Sequence, residues 1–143
     1  MTYYVLDTDH LSILQRRTEP AYSKLSENLS RYSPDLIFTT IISFQEQFQG
    51  WMAFINQAKT AEQLITAYAK LQSLLQLFSV SQILAFDHQA SDVAEDLRRQ
   101  HIRIGTMDLR IAGIVLSQNA ILLTRNSSDF GKVPNLRVED WTS

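Results

Sequence analysis

Short, unbroken apolar and β-branched runs alternate along this chain with longer stretches whose apolar residues return every three or four positions. The first pattern fits a strand covered on both faces, and the second fits a helix with one face turned to a core. Runs at 2–6, 36–42, 82–86, 121–124 and 136–138 predict strands. Leu11, Ile13 and Leu14 predict a first helix; Tyr22, Leu25 and Leu29 predict a second, opened by Pro20 and closed before Ser33-Pro34. Ser43 is placed to cap a third helix through Phe44, Phe48, Trp51, Met52 and Ile55. A fourth, from about Thr60, carries Leu64, Tyr68, Leu71, Leu74 or Leu75, and Phe78 on one face. These two, joined near Lys59-Thr60, predict a helical hairpin inserted between strands. Residues 87–100 read as a helix with Val93, Ala94 and Leu97 inward. The last begins near Thr106 or Met107, where a hydroxyl can accept from free first-turn N–H groups, and stops at Asn119. Such alternation predicts an α/β fold with a central, mainly parallel sheet covered on both faces.

Composition narrows the class. The chain has 143 residues, 45% of them hydrophobic and 20% charged, with four Gly and three Pro, so one globular domain over 1–143 is expected rather than disorder or a fibrous repeat. No apolar run approaches the ~20 residues of a membrane span. The opening MTYYVLDTDH lacks a basic region followed by an apolar one, so no signal peptide is expected and the cytoplasm is the expected compartment. With no cysteine, disulfides and thiolate metal sites are excluded. The net charge of −2 does not suggest a nucleic-acid binder. Its distribution says more: Arg98, Arg99, Arg103, Arg110, Arg125, Lys132 and Arg137 share one segment with only Asp108 and Asp129, for +5 locally. A basic surface around an acidic centre would suit a phosphate backbone, while scattered surface arginines are the plainer account of the same tally.

Four acids stand out by position. Asp7 follows the first strand, Glu46 lies one turn into the helix after the second, Asp108 opens the last long helix, and Asp129 follows a late strand. Ligands of open α/β sheets sit outside the carboxyl ends of the strands, where these four could converge. Carboxylates a few ångströms apart raise each other's pKa, and a hard divalent cation removes that cost. Such a cation lowers the pKa of a bound water and stabilises charge on a phosphoryl oxygen, which is the chemistry of phosphodiester hydrolysis. Each acid also has a plainer role. Ser43-Phe44-Gln45-Glu46 matches a capping box, Asp108 suits a helix dipole, Asp7 or Asp9 can be an N-cap, and Asp129 can order its loop.

The segments YVLDTDHLS, ISFQEQFQGW and IGTMDLRIAGIVLSQNAILLTRNSSDFGKVPNLRVEDW together resemble a PIN-domain ribonuclease of the VapC toxin type, from Tyr3 to Trp141. LDTD alone is a weak signal; the order of all these motifs is a strong one. The resemblance implies a three-layer α/β/α fold and a Mg²⁺- or Mn²⁺-dependent endoribonuclease. It also implies the toxin half of a toxin–antitoxin pair, with a cognate antitoxin and a homodimer as expected partners. Asp7, Glu46, Asp108 and Asp129 take the family's acidic positions, and Thr8 and Asn126 its supporting polar ones. Where the family often has Asn two residues after the first Asp, this chain has Asp9, which adds charge and could shift a ligand assignment. Asn126 could likewise fill part of the role of Asp129. On this reading Asp7 and Asp108 bind the metal directly. Glu46 binds it directly or through water, or helps deprotonate the attacking water. Asp129 holds a second cation or positions a metal-bound water, and cleavage leaves a 5′-phosphate and a 3′-hydroxyl. Arg125 and Arg110 are the expected phosphate contacts, with an ion pair to the acids as the alternative for Arg110.

Other chemistries find less support. His10, His88 and His101 have no paired ligand spacing, Ser12 and Ser43 lack a nucleophile motif, and there is no Gly-rich phosphate loop. Trp51, Phe54 and the leucine-rich face from Leu64 to Phe78 read as core, part of which could serve as a partner groove. Three competing functions remain: a PIN-like nuclease of RNA processing or DNA metabolism without an antitoxin, a phosphoacceptor receiver domain, and a non-catalytic interaction module. The receiver reading wants a lysine at the end of a late strand, where Thr124-Arg125-Asn126 stands instead.

Overall fold

The computed structural model describes residues 1–143. In chain order the elements are β1 (Tyr4–Leu6), α1 (Thr8–Arg16), α2 (Ala21–Ser30), a single 3-10 turn (Pro34–Leu36), β2 (Ile37–Thr40), α3 (Ile41–Gln57), α4 (Ala61–Ser79), β3 (Ile83–Leu84), α5 (His88–Arg99), α6 (Thr106–Ser117), β4 (Ile121–Leu123), α7 (Ser127–Phe130) and β5 (Arg137–Glu139). The strands form one sheet in the order β3-β2-β1-β4-β5. Every pairing is parallel, with Tyr4 opposite both Ile37 and Ile121, and Leu123 opposite Leu6 and Glu139. From β1 the chain winds outward to β2 and β3, then returns past β1 to β4 and β5. The winding therefore reverses between β1 and β4, and the crevice at their carboxyl ends is where such sheets place ligands.

The strands are covered on both faces, which gives three layers. On one side Val5 and Leu122 join Ile111, Ala112, Ile114 and Val115 of α6 with Ala90 and Leu97 of α5. On the other, Leu6, Ile121 and Leu123 pack with Leu11, Ile13, Leu25, Leu74, Phe78 and Trp141. Alternate residues of each strand face opposite cores, as the strand period of two requires. Helices α5 and α6 meet at backbone distance: a Cβ on Gly113 would stand 2.7 Å from the Ala90 carbonyl oxygen and 3.0 Å from the Ala94 Cβ. Only glycine allows that approach, and it seats α6, with Asp108 in its first turn, tightly over the sheet.

Several expectations shift. The second strand is shorter than 36–42 because Thr40, not Ser43, caps α3: its Oγ1 accepts the Ser43 N–H at 3.1 Å, drawing Ile41 and Ile42 into the helix. Strand β3 keeps only Ile83–Leu84 of 82–86, and β5 lies one residue later than expected. Helix α6 does begin at Thr106, but its N-cap is Gly105, with no side-chain cap. Asn119 ends that helix as expected, in the left-handed region with φ 52°.

The largest revision concerns the hairpin. Ala67, Leu74 and Phe78 of α4 are buried, but Leu64, Tyr68 and Leu75, placed on the inner face by their spacing, are exposed, and so is Phe54 of α3. Nineteen residues of α4 make a rod of roughly 28 Å. Strands of two to four residues span only about 7–14 Å, so the far part of the hairpin overshoots the sheet and has nothing beneath it. No helix is long and apolar enough to cross a membrane.

Candidate active site

Asp7 is the first residue beyond β1. Its backbone N–H still joins the ladder, donating to the Leu123 carbonyl at 2.9 Å, while its side chain caps α1. Its Oδ1 accepts the Thr8 N–H at 2.8 Å and its Oδ2 accepts the Thr124 hydroxyl at 2.8 Å. Burial pushes its pKa up to about 6, helped by the charges of Asp9 and then Asp108, against the pull of the Thr124 and Thr8 hydrogen bonds. The N-cap role and the chemical role therefore fall on the same residue.

Glu46 is released from the capping box. Thr40 does the capping and Ser43 is fully buried, its Oγ accepting from the Thr40 hydroxyl at 3.3 Å. Glu46 instead turns its Oε1 into a buried position where nothing donates to it, and the buried Thr8 hydroxyl also lacks a partner. Burial raises the Glu46 carboxyl to about 7, followed by the charges of Asp7, Asp108 and Asp9; the neighbouring Thr8 hydroxyl alone pulls the other way. Asp108 is raised too, by burial first and then by Asp129 and Asp9. The charges of Asp7 and Asp108 reach Glu46, that of Asp108 reaches Asp7, and that of Asp129 reaches Asp108, so the four acids share one neighbourhood beyond the carboxyl end of β1.

Asp129 is set differently. It lies in α7, whose N-cap Asn126 accepts the Asp129 N–H through Oδ1 at 3.4 Å and donates from Nδ2 to Asp129 Oδ2 at 3.2 Å. Lys132 Nζ stands 3.5 Å from Asp129 Oδ1 and also donates to the Arg103 carbonyl at 3.3 Å. Asn126 thus supports Asp129 as expected, and the protein itself supplies this acid with a cation. The two arginines expected at phosphate behave alike in one respect: neither takes part in an ion pair, so the alternative for Arg110 is not realised. Arg125 is exposed and Arg110 half-buried. Of the seven basic residues counted in sequence, Arg98 is held by Glu95, Lys132 by Asp129, and Arg137 by the Asn119 carbonyl at 2.9 Å.

Residues that drew no functional reading from sequence also shape the site. Thr124, closing an apolar strand beside the one that ends in Asp7, is buried with its hydroxyl between Asp7 and Asp9. Lys132 follows Asp129 by one helical turn, a spacing visible in the sequence. His10 is completely buried and binds no acid-cluster oxygen except that of Asp9.

Does this arrangement fit a divalent cation? No three His, Asp or Glu side chains close tightly enough to cage an ion. The donors nevertheless include an unpartnered buried carboxylate oxygen and three acids whose pKa values are all raised, by burial first and then by neighbouring carboxylates. Mg²⁺ and Mn²⁺ accept few protein ligands and complete their shells with water, so an open carboxylate centre fits them better than a closed cage would. A groove of about 630 Å³ lies elsewhere, between α1, α3 and α4, and is lined by Ser12, Gln15, Arg16, Gln47, Trp51 and Phe54 with none of the four acids.

Fold and site together define a class: a parallel α/β protein with a carboxylate centre, suited to a hard divalent cation, at its switch point. The sequence model of the PIN domain matches residues 4–136, and the chain belongs to the PIN-domain family. Over 140 residues it is 29% identical to Ribonuclease VapC1 of Haemophilus influenzae (strain R2866), covering 97% of this chain and 98% of that one. It is 25% identical over 138 residues to Ribonuclease VapC2 of Rickettsia felis, with 96% and 97% covered. Among solved structures it matches a chain of VapBC2 from Rickettsia felis, bound to a DNA fragment from their promoter, with TM-score 0.72 and 27% identity over 98% of this chain and 99% of that one. DNA-bound VapBC from Salmonella typhimurium gives TM-score 0.77 at 22% identity over 99% of each chain, a likeness of fold alone.

Proposed function

We propose that the chain is a Mg²⁺- or Mn²⁺-dependent endoribonuclease of VapC type, acting as one domain over residues 1–143 in the cytoplasm, and the toxin of a toxin–antitoxin pair. Its whole-length similarity to ribonucleases named VapC supports the activity. The likeness to the Rickettsia felis VapBC2 assembly supports a protein antitoxin as partner. The observation that carries the chemistry is Glu46 Oε1, buried without a hydrogen-bond partner on a carboxyl that the charges of Asp7 and Asp108 raise further.

Asp7 and Asp108 hold the cation, with Asp7 fixed in place by the Thr8 N–H and the Thr124 hydroxyl. When bound, the cation stabilises negative charge on a phosphoryl oxygen and eases deprotonation of water. Glu46, whose unpartnered Oε1 is free to accept, takes the proton of the attacking water. Asp129, held by Asn126, orients the water from the rim. Arg125 and Arg110, free of ion pairs, are the proposed phosphate contacts. The uncovered apolar side chains of the hairpin, among them Phe48, Ile65, Tyr68 and Leu75, form the surface that an antitoxin and a second copy of the chain would cover.

The test is cleavage of a mixed RNA substrate by antitoxin-free protein with Mg²⁺, with Mn²⁺ and with chelator, beside an identically prepared Asp108→Asn protein. Metal-dependent cleavage confined to the unsubstituted chain is expected. Cleavage that survives both chelator and substitution would overturn the assignment.

A further inference from the structure

His10 is fully buried, three residues after Asp7, and both of its ring nitrogens are used. Nε2 accepts the Trp141 backbone N–H at 3.2 Å, so it carries no proton, and the neutral ring's single N–H is on Nδ1. That N–H donates to Asp9 Oδ1 at 2.7 Å. A buried residue needed only for volume would be aliphatic. An imidazole here accepts from a main-chain amide at one end and donates to a carboxylate at the other, and it fixes the orientation of both.

On each side the connection continues. Asp9, with Oδ1 held by His10, turns Oδ2 to the Arg125 N–H at 2.8 Å and to the Thr124 hydroxyl at 3.1 Å. The Thr124 oxygen accepts the Asn126 N–H at 3.0 Å and lies 2.8 Å from Asp7 Oδ2, to which it donates. In the other direction, Trp141 is buried, stacked on Tyr32 at 5.0 Å and tilted against Tyr4 at 4.9 Å, and its carbonyl accepts from Asn28 Nδ2 at 3.1 Å. Asp140 Oδ1 stands 3.7 Å from His10 Nε2 but is occupied by the Thr142 N–H at 2.8 Å. One continuous set of hydrogen bonds thus runs from the segment after β5, through His10 and Asp9, to the loop after β4 and to Asp7.

We propose that His10 is a positioning residue that couples the docked Asp140–Trp141–Thr142 segment to the acid centre, holding Asp9 so that it braces Thr124 and Arg125 and thereby fixes Asp7. Asp9 accepts from His10, Arg125 and Thr124, so its role in this proposal is to brace the centre. The inference rests on the proposed metal site, and its test uses one readout that does not.

Three variants separate the two ends of the imidazole. His10→Asn keeps a donor where Nδ1 stands, His10→Gln keeps an acceptor where Nε2 stands, and His10→Leu keeps neither. Amide exchange of Arg125, followed by NMR on metal-free protein, reports whether Asp9 still holds the loop; Mn²⁺ titration by calorimetry reports whether Asp7 is still set. Faster Arg125 exchange and about tenfold weaker Mn²⁺ binding are expected for His10→Leu and His10→Gln, with a clearly smaller change in both for His10→Asn, which keeps the bond to Asp9 and loses the anchor on Trp141. Should the leucine variant fail to fold, the asparagine–glutamine contrast carries the test by itself. Truncation after Glu139 is expected to behave as His10→Gln does not: it keeps Nδ1 yet frees the ring to turn, so Arg125 exchange rises by less. Equal exchange and equal Mn²⁺ affinity in the asparagine and glutamine variants would overturn the proposal. Faster exchange with unchanged Mn²⁺ affinity would overturn the link to Asp7. If the parent chain itself binds no Mn²⁺, the metal-site reading fails, while the Arg125 readout still decides the brace.

Discussion

The floor and the rim of the acid centre are both built of carboxylates, but they are stabilised in opposite ways. On the floor, Asp7, Glu46 and Asp108 are buried to different degrees, all raised in pKa, and no basic side chain pairs with any of them. On the rim, Asp129 has Lys132 at 3.5 Å and the Asn126 amide at 3.2 Å. The protein supplies the rim with a positive charge and leaves the floor without one. Burying uncompensated acids is costly, so the contrast supports the proposal that the cation binds at the floor, with the rim as an accessory.

Breaking the floor should have the largest effect. Asp7→Asn and Asp108→Asn each remove a ligand and are expected to lower RNA cleavage by about 10³-fold, the rate equivalent of several kcal/mol of charge stabilisation. Both should leave the circular-dichroism spectrum unchanged and, without metal, should not lower Tm, because they relieve like-charge repulsion. Loss of Tm in both would move these acids from a chemical role to a structural one. Glu46→Gln should lower cleavage by about 10²-fold while leaving Mn²⁺ affinity closer to that of the parent, as a base rather than a principal ligand would.

The pH dependence of the metal-free protein sharpens the same contrast. Asp7 and Glu46 keep their protons to about pH 6 and 7 in the folded state, against about 4 in the unfolded chain. The folded state therefore binds more protons across that window, so their contribution to stability is fully present below about pH 4 and is lost as pH rises through 6 to 7. Thermal melts without metal should show Tm contributions from these groups declining over that range, and Asp7→Asn should flatten the slope. Saturating Mn²⁺ should flatten it as well.

Rim changes should be smaller. Asp129→Asn is expected to reduce cleavage by about tenfold with Mn²⁺ affinity nearly unchanged, as for residues that orient rather than bind. Lys132→Ala, which removes a half-exposed partner, should alter stability by no more than about 0.5 kcal/mol in urea melts. A larger loss of metal binding from Asp129→Asn than from Asp108→Asn would invert the comparison.

Much of this architecture was legible from residue order. Every expected strand and helix exists, since continuous apolar runs and helical spacing report burial directly. Asn126, Asp129 and the strand-end position of Asp7 were visible as local chemistry. Glu46 was not decidable locally: the Ser43 pattern for a capping box is genuine, and only the competing hydroxyl of Thr40 frees the glutamate. The outer face of α4 was misread because periodicity shows which residues share a face, not whether anything lies beneath it.

By itself, then, the sequence determined the order of elements, the parallel α/β class, and which acids stand at strand ends and helix starts, because these follow from short-range periodicity and capping. Tertiary structure alone decided which acids go unpaired and that His10 joins Trp141 to Asp9 across 131 positions of chain. Hydrogen bonds and desolvation depend on what lies within a few ångströms, and that neighbourhood exists only once β1 and β4 are side by side.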